Sequence, residues 1–338
     1  MSRAEVQPAP ALGPLVPARQ RMTGLALAVV SGLAVAAQSR INGELGVRLH
    51  DGIAAAVVSF GTGLLILLIG VPLLPTGRRG LRRLRTALRD GGLRPWQCLG
   101  GLCGAFLVAA QGLTVGALGV AVFTVAVVAG QSASGLAVDR AGVGPTGRQP
   151  LSPVRLFGAV LTVLAVLLAV SDHLGNPGRL VLAVLPVLGG VGIAWQQAVN
   201  GQVRVASDST LTATAVNFAV GTVALLAALA VDVAVRGLPV GGWPPEPWLY
   251  LGGPIGISFI AVAAAVVRFT GVLLLGLATI AGQVVGAVLL DLVAPSASGP
   301  PGPFTLLGTA LTLVAVAVAA LRPVSRRREG GRRTGRRP

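Results

Sequence analysis

A stretch of 26 residues occurs twice in this sequence, and this repeat constrains the fold more than any other feature. The first copy runs from Gln38 to Gly63 and the second, 158 residues later and without a gap, from Gln196 to Gly221, with eight identical positions. The identities include residue types that are scarce in the chain, namely Gln38 with Gln196, Asn42 with Asn200, and Phe60 with Phe218. The sequence therefore predicts two copies of one structural unit.

The composition places both copies in a membrane. Hydrophobic residues make up 53% of the chain and charged residues only 11%, whereas about a quarter of the residues in a soluble domain are charged. Apolar segments of about 20 residues, each long enough to cross a hydrocarbon core of about 30 Å, follow one another almost to the end of the chain. The sequence predicts an all-α polytopic membrane protein.

Ten transmembrane helices are predicted, five in each copy. Their predicted bounds are Thr23 to Ala37, Ile53 to Leu74, Trp96 to Val115, Leu118 to Val138, Val154 to Ser171, Leu180 to Gln197, Thr210 to Val231, Trp248 to Val267, Thr270 to Leu292, and Phe304 to Leu321. The predicted domains are a disordered cytoplasmic tail (1–22), a first five-helix repeat (23–171), a second five-helix repeat (180–321) and a basic cytoplasmic tail (322–338). The first apolar run also resembles a cleavable signal peptide, but its equivalent lies in the middle of the chain, which favours a retained helix.

An odd number of spans in each copy places the second copy upside down relative to the first, so the sequence predicts an inverted-topology repeat. The arginines agree with this topology. With a cytoplasmic N-terminus, 23 of the 27 arginines fall on the cytoplasmic side, and the four on the outside are Arg40, Arg48, Arg179 and Arg236. Because basic residues are enriched in cytoplasmic loops, both termini are predicted to be cytoplasmic.

The net charge of +16 does not indicate nucleic-acid binding. The arginines lie between and beyond the apolar segments, so membrane topology and lipid headgroups explain them. Seven arginines lie in the loop from Arg78 to Arg94, whereas the equivalent loop of the second copy contains only Arg236. Cys98 and Cys103 point in different directions on one predicted helix and cannot pair. No metal site, cofactor or catalytic group is predicted, and the chain is not expected to be an enzyme.

Polar side chains within the apolar helices are the candidates for a substrate pathway, because burying them costs free energy. Gln38 and Asn42 are four residues apart and share one helix face, which the second copy repeats. The candidate pathway residues are Gln38, Asn42, Gln131, Gln196, Asn200, Asn217 and Gln283. Together they would form a neutral lining near the middle of the membrane, where inverted-repeat transporters bind their substrates.

The same residues have a second interpretation, in which they hold helices together. Hydrogen bonds between transmembrane helices contribute about 0.6 to 2 kcal/mol, which accounts for buried amides without any ligand. Both interpretations remain open for the amide pairs of the first and sixth spans, while helix packing is favoured for Asn217 and its counterpart Ser59. Gln131 and Gln283 each follow a glycine, so close packing is a rival explanation there.

Few carboxylates are available to couple transport to an ion gradient. Glu44 lies at the outer end of the first span and corresponds to Gln202, so the second copy lacks its charge. Asp139 and Asp291 correspond to each other, and both fall where a predicted helix meets the headgroups, which favours solvation or an ion pair. Glu44 is therefore the one weak candidate for proton coupling.

The run from Gly101 to Asp139, followed by Leu156 to Gly158, resembles the bacterial YdcZ-type inner-membrane proteins of the drug/metabolite transporter superfamily. The Gln-x-x-x-Asn stretches and the Ser59-Phe60 and Asn217-Phe218 pairs resemble the first two spans of that family. Many members are single five-span units, and this chain resembles a tandem fusion of two over residues 23 to 321. The resemblance implies a ten-span bundle with a central cavity.

The sequence and the resemblance together predict a secondary transporter of the bacterial cytoplasmic (inner) membrane, an exporter or permease that moves a small organic molecule by alternating access. The alternative is a membrane scaffold or assembly partner that keeps this fold without transport. Expected partners are the small-molecule substrate, the lipid bilayer and a second copy of the chain in a homodimer, and nucleic acid is not expected. Related small multidrug exporters exchange protons through an acid within the first span, a mechanism that the position of Glu44 does not support.

Overall fold

The computed structural model describes residues 18–145, 147–148, 153–172, 177–237, 242–270, 272–295 and 299–320. Within these residues the chain forms α1 (Ala18–Leu49), α2 (Gly52–Leu73), α3 (Pro75–Arg89), α4 (Gly100–Leu118), α5 (Val120–Ala141), α6 (Pro153–Ser171), α7 (Pro177–Leu182), α8 (Val184–Ser207), α9 (Thr210–Arg236), α10 (Gly252–Thr270), α11 (Val272–Val293) and α12 (Pro303–Ala320). Short 3₁₀ turns, Pro95–Cys98 and Pro247–Tyr250, precede α4 and α10.

Seven stretches of the described chain are long and apolar enough to cross a membrane: Met22–Leu49, Gly52–Leu73, Pro95–Leu118, Val120–Ala141, Pro177–Ser207, Thr210–Arg236 and Leu275–Val293. Three shorter apolar helices are Leu156–Ser171, Gly252–Val262 and Pro303–Val318. Large apolar side chains such as Leu65, Ile69 and Val223 point outward with more than half of their surface exposed, as lipid-facing residues do. The predicted helical, multi-pass architecture is confirmed, while the number of ten spans stays a prediction.

The first helix is longer than the sequence predicts. α1 begins at Ala18 and continues to Leu49, so the last five residues of the predicted disordered tail are helical, and the rest of that tail lies outside the described residues. Pro17 is the last proline before Pro72, and a chain free of proline can continue one helix without a break. Gln38 and Asn42 therefore lie on a single continuous element.

The basic segment after α2 is a helix and not the predicted loop. Pro75 occupies the first turn of α3, where its fixed φ and its missing N–H are tolerated. Leu81, Leu84 and Leu88 recur at spacings of three and four among the arginines, which gives an amphipathic helix. Leu84 is buried and packs with Val203 of α8. The segment therefore lies against the bundle with its arginines outward.

The turn between the first two helices of each copy has the same conformation. His50 and Asp208 adopt left-handed φ values of 52° and 49°. Asp51 then caps α2 by accepting hydrogen bonds from two backbone N–H groups of its first turn, and Ser209 caps α9 by accepting one. These pairs of residues are 158 positions apart, so the sequence repeat extends to the local backbone structure. Each turn reverses the chain within two residues and places two helices side by side.

The first helix of each copy packs against helices of the other copy. α1 lies against α10 and α11, α8 lies against α4 and α5, and α2 packs on α9. Glycines allow the closest approaches: a Cβ on Gly32 would lie 2.1 Å from the carbonyl oxygen of Thr279, and one on Gly190 would lie 2.0 Å from that of Val127. These two contacts join equivalent positions of the sequence repeat. The same backbone contact thus forms twice between the copies.

Candidate functional site

The amide cluster of the first copy joins α1 to α4. Asn42 is fully buried (0% exposed), and its Nδ2 donates a hydrogen bond to Oε1 of Gln111 over 2.7 Å. Gln111 in turn donates from Nε2 to the hydroxyl oxygen of Ser39 over 2.9 Å. Gln38, the other predicted amide on this face, donates to the carbonyl oxygen of Gly252 on α10 over 2.9 Å. Side chains of α1 therefore bind both α4 and α10.

The amide cluster of the second copy joins α8 to α9. Nε2 of Gln196 and Nδ2 of Asn200 both donate to Oδ1 of Asn217, each over 2.9 Å. Asn217 is buried, and the other two amides are half-buried. The bonding differs from that of the first copy because Ser59 stands at the position of Asn217, and Ala263 stands at the position of the α4 glutamine. The two clusters occupy equivalent places with different hydrogen bonds.

An aromatic pair lies between the two amide clusters. The ring centroids of Phe60 and Phe218 are 4.9 Å apart. A Cβ on Gly104 of α4 would lie 2.9 Å from the amide nitrogen of Gln196 and 3.3 Å from the Phe60 ring. The equivalent glycine of α10 lies in the same way beside Phe218 and the amide of α1. Both rings are buried, each 5% exposed, and neutral hydrogen-bonding groups flank them.

Two acceptors in these clusters have no hydrogen-bond donor among the described residues. They are Oδ1 of Asn42 and Oε1 of Gln196, and both are buried. An unpaired buried acceptor costs about 1 to 3 kcal/mol. Each is therefore an acceptor left unfilled in this conformation, and Oδ1 of Asn42 packs against Gly252, where an added Cβ would lie 2.4 Å from it.

The other two predicted glutamines lie outside both amide clusters. Nε2 of Gln131 is 3.4 Å from Oε1 of Gln197, which makes a long hydrogen bond between α5 and α8. Gln283 lies on α11 where that helix approaches α1: a Cβ on Gly32 would lie 2.7 Å from its backbone nitrogen. Both glutamines thus occupy helix contacts between the two copies.

Glu44, the candidate for coupling, lies in an ionic network near the end of α1. Its carboxylate accepts a hydrogen bond from Nε of Arg48 over 2.9 Å, and Nη1 of Arg48 also donates to Glu246 over 2.8 Å. A hydrogen bond from its own backbone, and then the Arg48 guanidinium, lower the pKa of Glu246. The Glu44 side chain is 26% exposed, so this carboxylate is ion-paired and partly solvated. Its role in coupling stays a prediction.

Asp291 is buried, although the sequence indicated a carboxylate at headgroup level. Its side chain is 3% exposed and accepts hydrogen bonds from the backbone N–H groups of Val120 at 3.1 Å and Ala121 at 2.7 Å. Asp291 on α11 therefore caps the N-terminus of α5, where the helix favours a negative charge. This capping replaces the expected solvation or ion pair. Asp139, its sequence equivalent, is half-buried near the end of α5.

Gln111 and Ser39 belong to the first amide cluster, and the sequence interpretation did not single them out. Gln111 is a polar residue in the middle of the apolar helix α4 and is 2% exposed. The criterion that selected the other amides, a polar side chain inside an apolar span, would have found it. Gln111 is not repeated in the second copy, where Ala263 stands at the equivalent position, so the repeat does not single it out.

Comparisons with known proteins identify the fold and the family. No curated protein matches this sequence. Five chains of solved structures match it, and one of them, a crystal structure, covers 89% of this chain and 96% of its own length at 20% identity with a TM-score of 0.51, a likeness that shows the fold alone. A family model described as "Putative inner membrane exporter, YdcZ" matches residues 23–168 and again residues 181–318. The resemblance seen in the sequence is confirmed, and the chain belongs to the YdcZ family, with two family units in tandem.

Proposed function

We propose that this protein is a secondary transporter of the cytoplasmic membrane that moves a small polar or amphiphilic organic molecule, as an exporter or permease, by alternating access. Membership in a family of inner membrane exporters supports transport over an enzymatic role. The ten spans form two inverted five-helix halves with both termini in the cytoplasm. The distribution of arginines and the contacts exchanged between the halves support this topology.

The observation that carries the proposal is the position of the amides. Both clusters lie where helices of the two halves meet, and the pair of Phe60 and Phe218 lies between them. Each cluster has a buried acceptor without a donor among the described residues, on Asn42 and on Gln196. A substrate with hydrogen-bond donors and an apolar body matches this combination. Neutral amides favour such a molecule over a strongly charged ion.

Equivalent helix pairs pack differently in the two copies. A Cβ on Gly46 of α1 would lie 2.2 Å from the carbonyl oxygen of Gly112 on α4, so these helices touch backbone to backbone. The equivalent residues of the second copy are Arg204 and Ala264. Within the described residues α8 packs on α10 far less than α1 packs on α4. This asymmetry supports one end state of alternating access, closed at the Gly46 end.

A membrane scaffold without transport is the second candidate. Asn42 is fully buried, and its amide bonds a neighbouring helix, which is what a purely structural role requires. The two candidates differ in one respect that an experiment can address. A transporter needs the amides for binding and flux of a solute, whereas a scaffold needs them for folding alone.

The proposal is tested by a thermal-shift screen of the purified protein against metabolites and drugs, since a ligand that binds the folded state raises its stability. The flux of each ligand that binds is then measured in proteoliposomes. In Gln196→Met the side chain keeps its length and loses its amide. We expect ligand affinity to fall about tenfold, the effect of losing a hydrogen bond of about 1.4 kcal/mol, and flux to fall with it.

Gln197→Met is the control, because it makes the same change at the exposed neighbour on the same helix, whose 3.4 Å hydrogen bond from Gln131 lies outside both amide clusters. It is expected to keep both binding and flux. A correctly folded wild-type protein that transports none of its ligands would favour the scaffold. Equal effects of the two substitutions on flux would also count against a pathway through the amide clusters.

A further inference from the structure

A cleft of about 960 Å³ lies between α2, α3 and α9, apart from the amide clusters. Its wall is apolar and is formed by Leu64, Leu67, Leu68 and Val71 of α2 with Ala215 and Ala219 of α9. Its volume lies at the upper end of the range for pockets that enclose a drug-sized molecule, about 300 to 1,000 Å³. The cleft is therefore far larger than a single inorganic anion requires.

Arginines of the amphipathic helix α3 form one rim of this cleft. Arg78, Arg79, Arg82 and Arg85 all line it. Arg83 pairs with Asp208, but in the part of the chain that the structure describes, Arg78, Arg82 and Arg85 have no carboxylate partner. The rim thus presents uncompensated positive charge beside an apolar wall.

The cleft opens to the surface of the bundle near the end of α2. Leu68 of its wall is 60% exposed, as expected for an apolar side chain that contacts acyl chains. The arginine rim begins within five residues of the end of α2 at Leu73. The apolar wall and the basic rim therefore follow each other as the acyl chains and the headgroup of a lipid do within one leaflet.

We propose that this cleft binds one anionic phospholipid. Its acyl chains lie along the wall formed by α2 and α9, and its phosphate accepts hydrogen bonds from Arg78 and Arg82. Guanidinium groups match phosphate oxygens in both charge and geometry, and a zwitterionic lipid, whose headgroup carries its own cation, gains less from this rim. In the proposed topology the site lies in the cytoplasmic leaflet.

The arginine rim of this site belongs to the first copy only. The second-copy segment equivalent to α3 lacks the run of arginines, and Arg236 at its start pairs with Asp232. The bound lipid nevertheless touches both copies, because α2 belongs to the first and α9 to the second. An anionic lipid at this position therefore links the two halves at one end of the bundle and stabilises their packing there.

The test uses the purified full-length protein in detergent, with thermal unfolding followed on addition of phosphatidylglycerol or of phosphatidylcholine with the same acyl chains. We expect phosphatidylglycerol to raise the midpoint and phosphatidylcholine to raise it much less. In the double variant Arg78→Gln/Arg82→Gln the affinity for phosphatidylglycerol should fall about thirtyfold, since each arginine near an anionic lipid surface contributes a factor of about five. Arg89→Gln/Arg94→Gln removes the same charge from exposed positions outside the cleft and should keep the affinity.

A second pair of variants tests the apolar wall without a change of charge. Ala219→Phe fills the cleft and should weaken phosphatidylglycerol binding, whereas Ala227→Phe, at an exposed position of the same helix outside the cleft, should not. Inorganic phosphate should give no protection, because it cannot occupy the wall. Equal protection by the two lipids, equal losses in the two arginine pairs, or full protection by phosphate would each overturn the proposal.

Discussion

Asn42 and Gln111 form a hydrogen bond that is closed to solvent, with the two side chains 0% and 2% exposed. The bond is short, 2.7 Å between Nδ2 and Oε1. In a membrane interior neither partner finds water when the other is removed, so the loss of one leaves an uncompensated polar group. Removal of both partners by apolar residues leaves nothing unpaired between these two positions.

The first prediction is therefore that Asn42→Leu and Gln111→Leu act non-additively on stability. Each single substitution should lower the free energy of unfolding by about 1 to 3 kcal/mol, because it strands a buried amide. The double variant should lose about 1 kcal/mol less than the sum of the singles. Denaturant unfolding of the four proteins in detergent measures this coupling, and additive losses would show that the two amides do not interact.

The amides show which parts of the candidate site can be predicted from the sequence alone. Asn217, Gln196 and Asn200 were predicted from their polarity and their repeated spacing, and the structure joins them in one hydrogen-bonded cluster. Asp291 could not be understood in this way, because its partners are backbone N–H groups of α5. Backbone N–H groups cannot be recognised from side-chain types in the sequence. Which helix Asp291 caps depends on packing between segments 170 residues apart.

At the scale of helices, the contact of α1 with α11 depends on the absence of a side chain at Gly32. A Cβ there would lie 2.1 Å from the carbonyl oxygen of Thr279, a distance that forces the helices apart. Gly61 of α2 is the matched case, since a Cβ there would meet nothing within 4 Å. Substitution by alanine should therefore affect stability differently at Gly32, which is in tight contact, and at Gly61, which is not.

The second prediction is that Gly32→Ala lowers the free energy of unfolding by about 1 to 3 kcal/mol, the usual cost of overpacking. Gly61→Ala should be neutral or stabilise by about 0.5 to 1 kcal/mol, because alanine in a helix loses less conformational entropy than glycine. Thermal or denaturant unfolding measures the stability of each variant against that of the original protein. Equal behaviour would mean that α1 and α11 do not approach as closely as the structure has them.

Helix α3 shows where the sequence interpretation of an element fell short. The sequence interpretation treats this segment as a loop, although Leu81, Leu84 and Leu88 recur at helical spacing among its six arginines. The direction of its apolar face could not be predicted in any case. That face packs on Val203 of α8 and Ala213 of α9, residues more than 100 positions away in the sequence.

At the scale of the whole molecule, the multi-pass helical bundle follows from hydropathy and the two units from the repeat. The relative placement of the halves requires contacts that hydropathy does not encode. Gly32 with Thr279 and Gly190 with Val127 are equivalent pairs, each joining one copy to the other. Two units related in this way, each with five spans, would lie upside down with respect to each other. The arginines then predict the orientation of the bundle.

The third prediction concerns that orientation and uses one cysteine at a time, in a chain whose half-buried Cys98 and Cys103 are replaced by serine. Arg89 on α3 and Trp243 in the equivalent segment of the second copy are both exposed. With inverted halves and cytoplasmic termini, a membrane-impermeant thiol reagent should label Trp243→Cys in intact cells and label Arg89→Cys only after the membrane is opened. The parent chain without cysteine gives the background. Because the two positions follow equivalent second helices, labelling of both from the same side would mean that the two copies share one orientation, and the proposed alternating-access mechanism would lose its structural basis.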